Sequence, residues 1–187
     1  MRLYLVRHGA TEWSELGRHT GRTDLPLTAL GQQQARALRP VLAPLSFAHV
    51  FTSPLQRARQ TAELAGFGAG LEASDLLLEM DYGHDEGKTR QEIQVDRPDW
   101  DIFTDGPRGG ESVAEVARRT VTFLGSIASA EGDVLLFAHG HLLRILTTVF
   151  LRLPLAFGRQ LELSPASVSI LGFSHQVPSL QRWNYQP

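Results

Sequence analysis

Two histidines, each set between a short apolar run and a glycine, are the residues of this chain best suited to chemistry. His8 closes "LYLVRHG" (3–9) and His139 closes "VLLFAHG" (134–140). Runs of this kind read as strands buried on both faces, and ligands bind just outside the carboxyl ends of strands in open α/β sheets. One such histidine is usually a packed structural residue. Two with matching surroundings point to a shared site. Between them, "TSPLQRARQTA" (52–62) runs a further strand into a helix that carries Arg57 and Arg59 in its first turns. Helix N-termini attract anions, and the guanidinium fork suits phosphate oxygens. Arg7, Arg57, His8 and His139 therefore describe a phosphate pocket. With no cysteine and few carboxylates beside the histidines, a zinc site is disfavoured. Arg59 points roughly 200° away from Arg57 on an ideal helix, which suits packing as well as it suits substrate.

The elements that must hold these residues alternate along the chain. After the first strand, residues 9–27 read as a loop. A helix follows over 27–45 with Thr28 as its N-cap, then a strand at 49–53 and a helix over 54–66 between Pro54 and Gly66. Residues 70–110 suggest a short strand or two and a small helix near 89–97. Ser112 and Glu115 form a capping-box pattern ahead of a helix over 111–129. The second apolar strand (133–139) leads into a helix from about Leu142 to Leu153, and strands near 167–173 and 179–183 finish the chain. This order predicts one domain over residues 1–187, a three-layer α/β/α sandwich with a mainly parallel central sheet.

Five ordered motifs, "LVRHGATEW", "HTGRTDLPLT", "TSPLQRARQTA", "EMDYGHDEG" and "FAHGHLLR", resemble the histidine phosphatase superfamily in its phosphoglycerate-mutase-like branch, over nearly the whole chain. "DYGHDEGKT", "PDWDIF" and "GGES" resemble a group within it that includes sedoheptulose-bisphosphatase-like and mycobacterial acid-phosphatase-like proteins. The resemblance implies that His8 is the nucleophile and passes through a phosphohistidine. Arg7, Arg57 and His139 would then bind the phosphoryl oxygens. Glu79 would protonate the leaving alkoxide, with Asp81, Asp85 and Glu86 as local competitors. Thr20 and Gly21 match substrate-contacting positions, and Tyr82, Gly140 and His141 adjoin catalytic ones. Trp13, His19 and Arg22 are candidates for the entrance, whereas Trp100 and Phe103 read as packing anchors. Ser14 stands where the mutase pattern has asparagine, and its shorter reach puts a direct phosphate contact in doubt.

Composition bounds what else the chain can be. Apolar residues make up 42%, charged residues 20%, and the formal net charge is -2, so nothing points to nucleic acid or an acidic membrane surface. Lys88 is the only lysine, a bias best explained by codon usage. The absence of cysteine fits the cytoplasm. The apolar stretch after Leu142 is broken by Arg144, Arg152 and Pro154 and should not span a membrane. "TTVFLRLPLAF" (147–157) offers an apolar patch on which a homodimer could form. The functional expectation is a metal-independent phosphomonoesterase, with no cofactor, acting on small phosphorylated metabolites such as sugar phosphates. A phosphoglycerate mutase and a non-catalytic phosphate-binding module are the alternatives.

Overall fold

The two apolar runs lie side by side in the middle of one sheet. A computed structural model describes all 187 residues. In chain order it contains β1 (Leu3–Arg7), α1 (Glu12–Glu15), α2 (Ala29–Ala37), α3 (Arg39–Leu42), β2 (His49–Thr52), α4 (Gln56–Leu64) and β3 (Glu72–Ala73). These are followed by α5 (Arg90–Gln94), α6 (Val113–Ser126), β4 (Val134–Ala138), α7 (Gly140–Leu151), β5 (Val168–Ser174) and β6 (Val177–Tyr185). Strand order is β3-β2-β4-β1-β5-β6. β3, β2, β4 and β1 run parallel, while β5 is antiparallel to both of its neighbours. The mainly parallel α/β sheet read from the sequence is present.

Strand periodicity sorts the core into two layers. Leu3 and Leu5 of β1, with Val134, Leu136 and Ala138 of β4, pack on α6 and α7. Tyr4 and Val6, with Leu135 and Phe137, face Leu38, Leu42, Ala62 and Ala65 of the α2–α4 side. Because β1 and β4 are buried on both faces, neither tolerates a polar residue until it ends. Polar residues begin at Arg7 and His139, where the strands leave the sheet.

Several boundaries differ from expectation for local reasons. The helix over 27–45 is two helices, since Pro40 lacks the N–H that a continuous helix needs at that position. Thr28 caps the first of them through Gly31 N–H, as read. The loop after β1 contains α1, closed by a capping box between Thr11 and Ser14. Gly9 and Gly31 let that loop cross the start of α2. A Cβ on Gly9 would stand 2.4 Å from the Gly31 carbonyl oxygen, and one on Gly31 2.0 Å from that of Ala10. Within 147–157, Thr147 and Thr148 are buried, Val149, Phe150 and Leu155 pack on the core, and Phe157 is the one large apolar side chain left exposed.

Candidate active site

β4 lies between β1 and β2, so the residues that follow these three strands meet at one edge. His8 N–H donates to the Ala138 carbonyl at 2.9 Å, and Ser53 N–H donates to the Phe137 carbonyl at 2.9 Å. The His8 and His139 rings are consequently 5.2 Å apart, centroid to centroid.

Hydrogen bonds fix the protonation of both rings. His8 Nδ1 is 2.7 Å from the Gly9 carbonyl oxygen, which can only accept, so Nδ1 carries the hydrogen and Nε2 keeps its lone pair. Burial, reinforced by the charges of Arg57 and Arg7, holds His8 well below the ordinary histidine value. His139 has the opposite tautomer: Nδ1 accepts from Arg57 Nε at 3.2 Å, and Nε2–H donates to Ser53 Oγ at 2.7 Å. Burial and the Arg57 charge keep it neutral as well.

Seven of the expected residues, Arg7, His8, Thr20, Glu79, Tyr82, Gly140 and His141, line one cavity of about 180 Å³. Arg57, His139 and Gly21 do not reach its wall. Arg57 is fully buried and donates to the carbonyls of Thr23, Thr20 and Gly21 and to His139. Gly21 is needed for close approach, but to protein: a Cβ there would stand 2.5 Å from the Met80 carbonyl oxygen. Arg7 donates from Nη1 to the Leu163 carbonyl at 2.5 Å, while its buried Nε has no partner. An unpaired buried donor on a cavity wall suits an arriving anion.

The four local acids separate clearly. Glu79 lies on the cavity, its carboxylate accepting from the N–H groups of Met80, Leu142 and His141 at 2.9, 2.9 and 3.1 Å. Two of those amides belong to the first turn of α7, whose leading N–H groups have no helical partner. Glu86 instead accepts from the Gly21 and Thr23 amides. Asp81 accepts from Gly83 N–H and faces Arg22 at 3.7 Å. For Asp85, burial alone would raise the carboxyl, but bonds from Arg108 N–H and Arg97 hold it below its ordinary value.

Tyr82 Oη is 2.5 Å from His141 Nδ1, and the His141 ring stacks on His19 with centroids 5.8 Å apart. Burial, together with the charge of Arg144, keeps His141 well below its usual value. Trp100 and Phe103 are core residues, as expected, although both also touch this histidine group. Arg59 is exposed. Trp13 packs on Gly87, away from the cavity lining. Ser14 does line the cavity, but its hydroxyl is committed to the Thr11 backbone.

Three contributors were not singled out in the sequence. Ser53 fixes the His139 tautomer. Thr61 Oγ1 accepts from Gly9 N–H and donates to the Arg57 carbonyl, tying the first loop to α4. Arg144 lines the cavity one turn after Gly140. Its position four residues along the same helix face was a usable signal. No group of three or more His, Asp or Glu side chains is arranged to hold a metal ion, and no helix is long and apolar enough to cross a membrane.

Known proteins resemble this chain over most of its length. The sequence pattern of the histidine phosphatase superfamily (branch 1) matches residues 3–186. An acid phosphatase of Mycobacterium tuberculosis is 42% identical over 183 residues, covering 96% of this chain and 90% of the relative. A sedoheptulose 1,7-bisphosphatase of Saccharomyces cerevisiae is 35% identical, covering 80% and 67%. A probable phosphoglycerate mutase of Klebsiella pneumoniae is 34% identical, covering 98% and 90%. The solved structure of a mycobacterial glucosyl-3-phosphoglycerate phosphatase superposes with a TM-score of 0.90 at 31% identity, covering 99% of each chain. Paired strand-end histidines over a cationic cavity, joined to a match that runs from β1 to the end of β6, make this chain a member of the histidine phosphatase superfamily, branch 1.

Proposed function

We propose that the chain hydrolyses phosphate monoesters of small metabolites, sugar phosphates among them, through a phosphohistidine on His8 Nε2. The observation that carries this reading is a neutral His8 with its lone pair on Nε2, lining a cavity that it shares with Glu79 and the Arg7 guanidinium. In the first step Nε2 attacks phosphorus, and the P–O bond to the alcohol breaks as Glu79 gives that oxygen a proton. In the second, water attacks the phosphohistidine, Glu79 takes up the proton, and His8 and inorganic phosphate are released.

Arg7 meets the phosphoryl oxygens directly, Arg57 adds its charge from behind, and the neutral His139 offers a hydrogen bond beside His8. His139 Nε2–H can turn from Ser53 Oγ to a phosphoryl oxygen, while Arg57 holds the opposite ring nitrogen. Thr20, Tyr82, Gly140 and His141 shape the space around the alcohol. Arg7 and Arg57 supply the positive charge that a metal ion would otherwise bring, and the reaction needs no cofactor. The reading takes residues 1–187 as one catalytic domain acting in the cytoplasm. Phe157 marks where a second copy could pack.

Turnover of p-nitrophenyl phosphate and of a sugar phosphate is expected to survive EDTA, and vanadate is expected to inhibit by adopting the five-coordinate phosphoryl geometry. Activity lost in chelator and restored by a divalent ion would overturn metal independence. Conversion of 3-phosphoglycerate without phosphate release would favour a mutase. Silence in every assay would favour a binding module.

The His8 environment also sets a pH limb. With p-nitrophenyl phosphate, whose leaving group departs without a proton, kcat/KM is expected to hold below pH about 6.5, the unperturbed histidine value. It should fall only where His8 gains a proton, once the substrate's own second ionisation, which the nitrophenyl group lowers below the value of about 6 usual for phosphate monoesters, is allowed for. A limb centred on the unperturbed value would show that burial and the two arginines do not keep the ring neutral.

A further inference from the structure

Arg57 is fully buried, yet it enters no ion pair. Its hydrogen bonds go to uncharged acceptors: the carbonyls of Thr20, Gly21 and Thr23 at 3.1, 2.9 and 3.0 Å, and His139 Nδ1 at 3.2 Å. Burying a guanidinium without a counter-ion is costly, so negative charge must act on it from further away. Burial lowers Arg57 from its ordinary value, and the carboxylates of Glu79, Asp24 and Glu86 oppose that. Asp24 is exposed, where water and salt screen it, and is bonded to Gln56 N–H at the start of α4. Glu79 loses its charge whenever it carries the proton for the leaving group. Glu86 remains as the constant charge on the loop that encloses Arg57.

Glu86 grips that loop from the opposite side. Its Oε1 accepts from Gly21 N–H at 2.9 Å and from Thr23 N–H at 3.1 Å, and its Oε2 also accepts from Gly21 N–H at 3.1 Å. One peptide unit therefore stands between two opposite charges. The Thr20 carbonyl accepts from Arg57, while the Gly21 N–H of the same unit donates to Glu86. The peptide dipole is favourably aligned with both, and in a buried setting such linked bonds polarise one another. The fit is close: a Cβ on Gly21 would stand 2.7 Å from Glu86 Oε2. Backbone bonds bring the carboxylate to this place. Gly87 N–H donates to the His19 carbonyl, and His19 N–H to the Lys88 carbonyl, both at 2.9 Å. Glu86 has no ion pair of its own.

We propose that Glu86 is a positioning residue for phosphoryl transfer: through the Thr20–Gly21 peptide its carboxylate holds the Arg57 guanidinium in line with His139 Nδ1. Arg57 in turn keeps the His139 hydrogen on Nε2, the atom that can reach a phosphoryl oxygen. The proposal rests on the phosphatase reading for which step slows, but not for the alignment of Arg57 and His139.

Glu86→Gln tests the charge, because a single amide oxygen can still accept from both N–H groups. Its kcat/KM for p-nitrophenyl phosphate and for glycerol 3-phosphate should fall by the same factor, about tenfold, the order of one charge-assisted hydrogen bond. Vanadate affinity measured by calorimetry should fall in parallel. The ¹⁵N shifts of the His139 ring should move from the pure Nε2–H tautomer toward a mixture, which a loss of fold stability alone would not produce. In an Arg57→Gln background the same Glu86→Gln change should cost nothing further, since the two residues act as one unit. A larger loss for glycerol 3-phosphate than for p-nitrophenyl phosphate would make Glu86 a proton donor and overturn the proposal. So would an unchanged His139 spectrum, or a lowered Tm with wild-type kcat/KM and vanadate affinity; either reduces Glu86 to a brace for the loop. Should Arg57→Gln not fold, the His139 spectrum of Glu86→Gln decides alone. A wild type without turnover, in which Glu86→Gln still weakens vanadate binding and shifts His139, would reject the hydrolytic reading and leave the positioning role standing.

Discussion

His8→Ala is expected to lower kcat by roughly 10³-fold or more, as deletion of a nucleophile does in other covalent enzymes, while leaving the fold intact. The fold should survive because the His8 backbone, not its ring, carries the strand-end bonds: its N–H donates to Ala138 and its carbonyl accepts from Ala166 N–H. What the substitution removes is the Nε2 lone pair. Rapid quench with labelled substrate should trap an acid-labile phosphoenzyme in the wild type and none in the variant. Turnover near the wild-type rate in His8→Ala would sink the mechanism. A phosphoenzyme that persists in the variant would move the nucleophile to another residue, with His139 as the nearest ring.

The strands that carry His8 and His139 were legible because burial on both faces leaves a signature that few other elements share. The order of the strands was not. Nothing in the sequence states that β4 inserts between β2 and β1, yet that order is what places Ser53 beside His139. Ser53 could be read only as a small polar residue before Pro54, because its role depends on a partner 86 residues away. The β5 and β6 strands were legible near 167–173 and 179–183, but the tight turn that joins them was not, for a different reason. Its turn residues, His175 and Gln176, both have positive φ, at 49° and 67°, without the Asn-Gly signal that such turns favour. Arg57 illustrates a third limit. Its helix position suggested a direct contact with phosphate, whereas Arg57 lies behind the cavity wall, enclosed by the carbonyls of Thr20, Gly21 and Thr23 in a loop whose path a sequence pattern cannot trace.

Glu79→Gln is expected to slow alkyl phosphates by roughly 10²–10⁴-fold, the range over which a positioned general acid acts. An alkoxide leaves poorly, so its oxygen must receive a proton as the P–O bond breaks, whereas p-nitrophenolate needs none. Hydrolysis of p-nitrophenyl phosphate should therefore fall much less. The two substrates share phosphoryl binding and His8 attack, so damage to the cavity would slow both alike. Some damage is expected. The glutamine carbonyl can still accept from two of the three amides that hold the carboxylate, but its NH₂ cannot accept from the third, a loss of about 1 kcal/mol. That loss is common to both substrates and cancels in their ratio. The structure gives a reason to test Glu79 first: of the four nearby acids it lines the cavity, while Asp85 is held by Arg97 and Arg108, Glu86 by the Gly21 and Thr23 amides, and Asp81 by Gly83. If alkyl and aryl substrates slow equally in Glu79→Gln, the carboxylate only braces the start of α7, and the proton must come from Asp81, Asp85 or Glu86 after a rearrangement of the 81–86 segment.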